Sequence, residues 1–138
     1  MISRRSLCAL CALGWLLEAA PAWAGSYLDR AALLVEQSTR SNDYLRKRPY
    51  DRELARVVAN IAEGCLRAGK DTVVPKEVAL AHPHLLLMLE HYERAASAAA
   101  DGEVGRYVTL SRSARDEEQL FRGVLRQLGW TLPPSKSA

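Results

Sequence analysis

Residues 104–128, VGRYVTLSRSARDEEQLFRGVLRQL, decide the fold class. Within them Tyr107, Ser111, Ala114, Glu118, Phe121, Leu125 and Leu128 recur at alternating spacings of four and three. That period keeps one face of a helix turned the same way along its whole length. A face so narrow and regular is the seam of a helix packed on other helices. Gly129 supplies the stop, because a residue with no Cβ takes the left-handed turn that ends a helix.

Working outward, the rest of the chain reads the same way. Residues 26–47 place Leu28, Ala31, Val35, Ser38, Asn42 and Leu45 on one face. Ser26 is suited to cap that segment, with Asp29 three residues later, and Arg46, Lys47 and Pro49 close it. A second segment starts at the cap Asp51 and carries Leu54, Val57, Val58, Ile61, Cys65 and Leu66 to a stop at Gly69. A third starts at Pro75, is broken or kinked by Pro83 at His82, and resumes to about Ala100, with Asp101-Gly102 as its end. Four amphipathic segments with short connections predict an all-α antiparallel four-helix bundle with a kinked third helix. A three-helix bundle with the first segment detached is the alternative. The bundle is expected over residues 25–132, with residues 133–138, which include Pro133 and Pro134, as a flexible tail.

The N-terminus has a different character. Arg4 and Arg5 precede an apolar or small run from Leu7 to Leu17, then Pro21 as a helix break, then Ala22-Trp23-Ala24 before Gly25. A charged start, a short apolar middle and an A-x-A site form the layout of a cleavable export signal, expected over residues 1–24. The stretch Ser3-Arg4-Arg5-Ser6-Leu7 resembles the bacterial twin-arginine export motif. Leu7 stands where that motif often has Phe, and Cys8-Ala9 replace the usual Leu-Lys, so the general secretory route stays open. The resemblance implies export of folded protein. Either route predicts a periplasmic or extracellular bacterial protein. The apolar run is shorter than the roughly 18–20 residues that span a bilayer, so no transmembrane span is expected in the processed chain.

Composition narrows the classes further. The 138 residues are 49% apolar and 25% charged, which are globular values and exclude wholesale disorder. Removing residues 1–24 takes Arg4, Arg5, Glu18, Cys8 and Cys11 away. Cys65 is then the one thiol, so no disulfide forms within the chain and the core must carry stability. The net charge of +3 in the full chain falls toward neutral, too little for a nucleic-acid partner.

Two helix faces hold the candidate chemistry. On the third segment, with His84 at zero, Met88 falls at about 40° and His91 at about −20°, which places all three in the apolar arc. Two imidazoles with a thioether between them, faced by Glu118 of the fourth helix, form a candidate metal or haem row. The competing reading is a polar core in which each imidazole hydrogen-bonds a neighbour such as Glu118, Ser38, Asn42, Tyr92 or Tyr107. The paired Glu-x-x-His motifs of di-iron bundles and the C-x-x-C-H of covalent haem are absent from the sequence, so the leading expectation is no cofactor. On the fourth segment Arg112, Arg115, Arg122 and Arg126 line up beside the seam. Guanidinium groups favour carboxylate and phosphate, so this stripe is a candidate face for an acidic partner or an anionic surface. Its plain alternative is a solvated face balanced by Asp116 and Glu117. The sequence contains no G-x-S-x-G, S-x-x-K, H-E-x-x-H or glycine-rich phosphate loop. The expectation is therefore an exported binding or structural bundle and not an enzyme, with a metal- or haem-carrying bundle as the alternative.

Overall fold

The computed structural model describes the backbone of residues 4–134 and the side chains of residues 24–134. The side chains on which the export reading rests, apart from Ala24, and residues 135–138 of the expected tail lie outside the described residues. Four helices follow one another: α1 Arg4–Lys47, α2 Arg52–Asp71, α3 His82–Ala100 and α4 Val104–Gln127. A 3₁₀ turn, Lys76–Val78, precedes α3. The described residues contain no strand, and the helices pack on one another as a four-helix bundle. α3 is the hub. It packs closely on α4 and on α2, and α1 lies against α2 and α3.

The caps show why the helices end where they do. Asp51 accepts a hydrogen bond at 3.0 Å from the Leu54 N–H, using one of the first-turn donors that no carbonyl can reach. Gly102 and Gly129 both sit at positive φ, at 81° and 88°. Around each, the flanking N–H groups turn back on the last turn of the helix: Glu103 to the Ala98 carbonyl and Gly102 to that of Ala99, then Trp130 to Leu125 and Gly129 to Arg126. This pair of bonds is the Schellman closure, which uses the left-handed residue as its pivot. At Gly102 a Cβ would also overlap the Arg52 guanidinium, which donates to the Asp101 carbonyl at 3.4 Å.

Three boundaries differ from the sequence reading. Ser26 does not begin a helix in the full chain, because α1 runs through Pro21 and Gly25 without a break. The Leu- and Ala-rich residues before it are good helix formers and supply the carbonyls that its neighbours' N–H groups need. Gly69 does not stop α2, which continues to Asp71. Its missing side chain serves packing instead, since a Cβ there would lie 2.6 Å from Leu89 Cδ1 on α3. The expected kink in the third helix is a clean separation. The 3₁₀ turn buries Val78, a further turn buries Ala81, and α3 then starts with Pro83 in its first turn. There the missing proline N–H would have had no partner anyway.

The core has two apolar clusters. One holds large side chains, including Val35, Leu85, Met88, Leu89, Phe121 and Leu125, with Trp130 and Leu132 of the C-terminal segment packed on it. The other is built on small ones, Ala55, Ala95, Ala96, Ala98 and Ala99, with Leu45 and Tyr107. Cys65 is buried in the first cluster as a free thiol beside Ser38, and burial pushes the thiol up from its ordinary value. All six positions expected on the buried face of α1 are buried, and so are five of the seven on the α4 seam, Glu118 and Leu128 being half-buried. On α2 the stripe is made of smaller residues than expected: Ala55, Val58, Ala62, Cys65 and Gly69. Val57 is 55% exposed.

The two helical glycines of α2 give opposite predictions. Gly69→Ala overpacks the α2–α3 contact and is expected to lower stability by about 1–3 kcal/mol. Gly64→Ala has nothing within 4 Å of the new Cβ and is expected to raise it by about 0.5–1 kcal/mol through reduced backbone entropy of the unfolded chain. Urea unfolding of both variants checks the pair, and equal shifts would contradict the close approach of α2 to α3.

Candidate functional site

α1 and α4 approach each other less closely than α3 approaches its neighbours, and polar side chains bridge the gap. Asn42 Oδ1 accepts from the Tyr107 hydroxyl at 3.1 Å and from Ser111 Oγ at 3.2 Å. About one turn earlier on α1, Thr39 Oγ1 shares its one proton between the Val35 carbonyl at 2.7 Å and Glu118 Oε1 at 3.2 Å. The other oxygen of Glu118 accepts from Arg122 Nε at 3.0 Å. Outside these ties the helices leave a cleft of about 320 Å³. Ala32, Val35, Glu36, Thr39, Arg40 and Asp43 form its α1 wall, Glu118 and Arg122 its α4 wall, and Leu132 and Pro133 close one end.

The local sequence explains each wall. On α1 the residues Ala32, Glu36, Thr39 and Asp43 repeat at 4-3-4 spacing, one position on from the buried Ala31, Val35, Ser38 and Asn42. They form the shoulder of the helix, half in the bundle and half in water. On α4, Glu118 belongs to the 4-3 seam and Arg122 follows it by one turn. The Schellman turn at Gly129 reverses the chain and brings Leu132 and Pro133 back to the cleft, so the expected loose tail is in part a wall of the site.

Charge is concentrated here. The buried Tyr92 hydroxyl is pushed up to about 12, first by burial and then by the Glu118 carboxylate, with the Thr39 hydroxyl and Arg115 partly offsetting them. Tyr107 is raised by burial, against the pull of Ser111, Arg46 and Arg115. Both tyrosines therefore stay protonated and act as donors at neutral pH. Arg40 pairs with Glu36, and Asp43 with Arg46 at 3.5 Å. Arg122 is 42% exposed in its side chain and pairs with Glu118, which is 20% exposed. Next to the cleft, Arg122 and Arg126 line a second hollow of about 170 Å³ with Thr131 and Leu132.

The candidate histidine row is not assembled as a ligand set. Met88 is fully buried in the apolar core. His84 Nδ1 lies 2.9 Å from Glu117 Oε2, not from Glu118. His91 is half-buried, and its Nδ1 is a buried atom without a hydrogen bond. Among the described residues no group of three or more His, Cys, Asp or Glu side chains converges in a way that could hold a metal ion. The buried arc of α3 is centred on Leu85, Met88, Tyr92 and Ala99, because the helix is covered on two sides. His84 and His91 sit on its shoulder toward α4 and not at its middle. His82 is the first residue of α3, and its Nδ1 is hydrogen-bonded with the Tyr27 hydroxyl at 2.8 Å, with the rings edge to face at 5.7 Å.

On the arginine stripe, Arg112, Arg115 and Arg126 are exposed and form no ion pair with a described residue, while Arg122 pairs with Glu118 and Glu117 lies against His84. Sequence reasoning missed Thr39, Glu36, Arg40, Asp43, Leu132 and Pro133. The 4-3-4 shoulder of α1 is the signal for Glu36, Thr39 and Asp43, overshadowed by the more apolar stripe beside it. The chain matches no protein-family model, and no curated protein or solved structure is detectably similar to it.

His82 yields a pH prediction. Burial holds its imidazole below the usual 6.5, because the charged form loses hydration. The Tyr27 hydroxyl, raised by its own burial, stays protonated in its bond with the imidazole. A histidine depressed in the folded state contributes stability above its unfolded value and loses that contribution as pH falls from about 6.5 through the folded value. The stability difference between the native chain and His82→Gln should therefore shrink as pH is lowered from about 7.5 to 5. Urea midpoints across that range test this, and a difference independent of pH would refute the neutral Tyr27–His82 bond.

Proposed function

We propose that this chain is an exported helical bundle that works by binding an acidic protein partner, with the α1–α4 cleft and its arginine rim as the contact surface. One observation carries the reading. Arg122 stands half-exposed at the lip of a cleft, its guanidinium oriented through Nε by Glu118, which lies against Thr39. Arg115 and Arg126 flank it without ion pairs among the described residues. A planar cation held in one orientation, with further cations beside it, binds carboxylates with little loss of side-chain freedom. The half-buried apolar surface of Ala32, Leu132 and Pro133 adds area that is withdrawn from water on contact.

Charge reversal tests the surface. Arg115→Glu with Arg122→Glu should abolish co-purification of the partner, whereas Arg56→Glu with Lys70→Glu, the same change in net charge at exposed positions of α2, should leave it intact. Equal capture by both variants would remove the cleft from consideration.

The export half of the proposal rests on Arg4, Arg5, the run Leu7 to Leu17 and the Ala22-Trp23-Ala24 site. Cleavage after Ala24 would leave Ser26 close to the new start of α1, where its hydroxyl can cap the first turn. Replacing Arg4 and Arg5 by lysines should retain the protein in the cytoplasm if it uses the twin-arginine route. Undiminished export of that variant assigns it to the general secretory route, and cleaved N-terminal sequencing of the exported form locates the processed end.

A further inference from the structure

We infer that the hollow formed by Arg122, Arg126, Thr131 and Leu132 is a carboxylate subsite, and that the partner segment it receives carries one carboxylate next to an apolar side chain. The inference rests on the cleft being the binding surface and adds what that surface selects.

Three features lead to it. The hollow adjoins the main cleft, and the two share Arg122 and Leu132, so one ligand can occupy both. Their charges differ. The main cleft carries Glu36, Asp43 and Glu118 against Arg40 and Arg122, whereas the smaller hollow is lined by two arginines and no acid. An anion is therefore attracted to one end and repelled from the other, which favours a single negative group over a diacid. Finally, the donors suit a carboxylate. Glu118 takes Nε of Arg122, and among the described residues the two terminal nitrogens of that guanidinium have no partner. That free edge presents paired N–H groups at the spacing of two carboxylate oxygens. Arg126 sits one turn on, and the Thr131 hydroxyl supplies a further donor. The apolar group on the same segment then rests on Ala32, Leu132 and Pro133.

Titration of the uniformly ¹⁵N-labelled full chain with N-acetylleucine, followed through the arginine Nε–Hε and backbone resonances, tests the assignment. N-acetylleucinamide is the uncharged control, and inorganic phosphate and acetate are anions without the stem. The expected result is a saturable shift of Arg122, Arg126, Thr131 and Leu132 with N-acetylleucine. The amide should produce none, and phosphate and acetate should bind at least about fivefold more weakly. Arg126→Gln and Thr131→Val, both at exposed positions, should each weaken N-acetylleucine by about fivefold or more with the remaining spectrum unchanged. Equal shifts with the amide, equal affinity for phosphate or acetate, or unchanged affinity in both variants would each overturn the subsite. The two readings fail separately. If Arg115→Glu with Arg122→Glu loses the partner while N-acetylleucine shows no selective shift, the cleft stands and the carboxylate subsite falls. If that double variant keeps the partner, the cleft reading falls, and the inference falls with it.

Discussion

The placement of α1 depends on a buried amide. Asn42 is 5% exposed, and its side-chain oxygen takes hydrogen bonds from both Tyr107 and Ser111 on α4. The two helices have little close backbone contact to fix their alignment, so this tie does it. Sliding α1 by one turn, about 5.4 Å, would leave the amide and two hydroxyls buried without partners. Each unmade bond of that kind costs about 1–3 kcal/mol, a large share of the stability of a small domain. The polar layer also divides the core. Large side chains fill one side of it and alanines the other, so the layer sets where each cluster begins.

The cleft follows from the same alignment. Once Asn42 is opposite Tyr107 and Ser111, Thr39 comes into reach of Glu118, and the shoulder residues of α1 face the flank of α4. The shoulder of α1 is half polar and cannot be drawn fully into an apolar contact, so the helices remain apart there. The chain after Gly129 then folds back, with Trp130 and Leu132 on the large-residue cluster. Leu132 thus both covers the core and ends the cleft.

Much of this was legible in the sequence because periodicity reports which face of a helix is turned inward. The α4 seam, the α1 face, the Asp51 cap and the glycine stops at 102 and 129 all follow from local rules, and the structure has them. Periodicity does not report how wide the buried arc is. α3 is covered from two sides, so its arc extends well past the stripe seen on a wheel, and its centre moves away from His84 and His91. That is why the histidine row looked central. The same limit applies at Gly69, where the sequence shows a residue that ends helices and the structure shows one that lets Leu89 approach. The choice between Glu117 and Glu118 as the partner of His84 is one of rotation about α4, which no single helix fixes. Leu132 and Pro133 follow a turn whose direction depends on packing against the rest of the bundle.

The pair Glu118–Arg122 is better understood as orientation than as stability. Arg122 is too exposed for the pair to contribute more than about 0–1 kcal/mol, because water screens the charges and holding long side chains still costs entropy. Orientation is a different matter. Glu118 also lies 3.2 Å from Thr39 on α1, a contact that favours the half-buried position from which it meets Arg122. A guanidinium gripped at Nε turns its opposite edge to the lip of the cleft. Lysine at 122 would keep the charge but not the edge, since an ammonium has no second pair of donors in a fixed plane. The arrangement therefore distinguishes a guanidinium that is merely solvated from one held ready for a planar anion. The other arginines of the stripe lack such a grip and extend the positive surface around it.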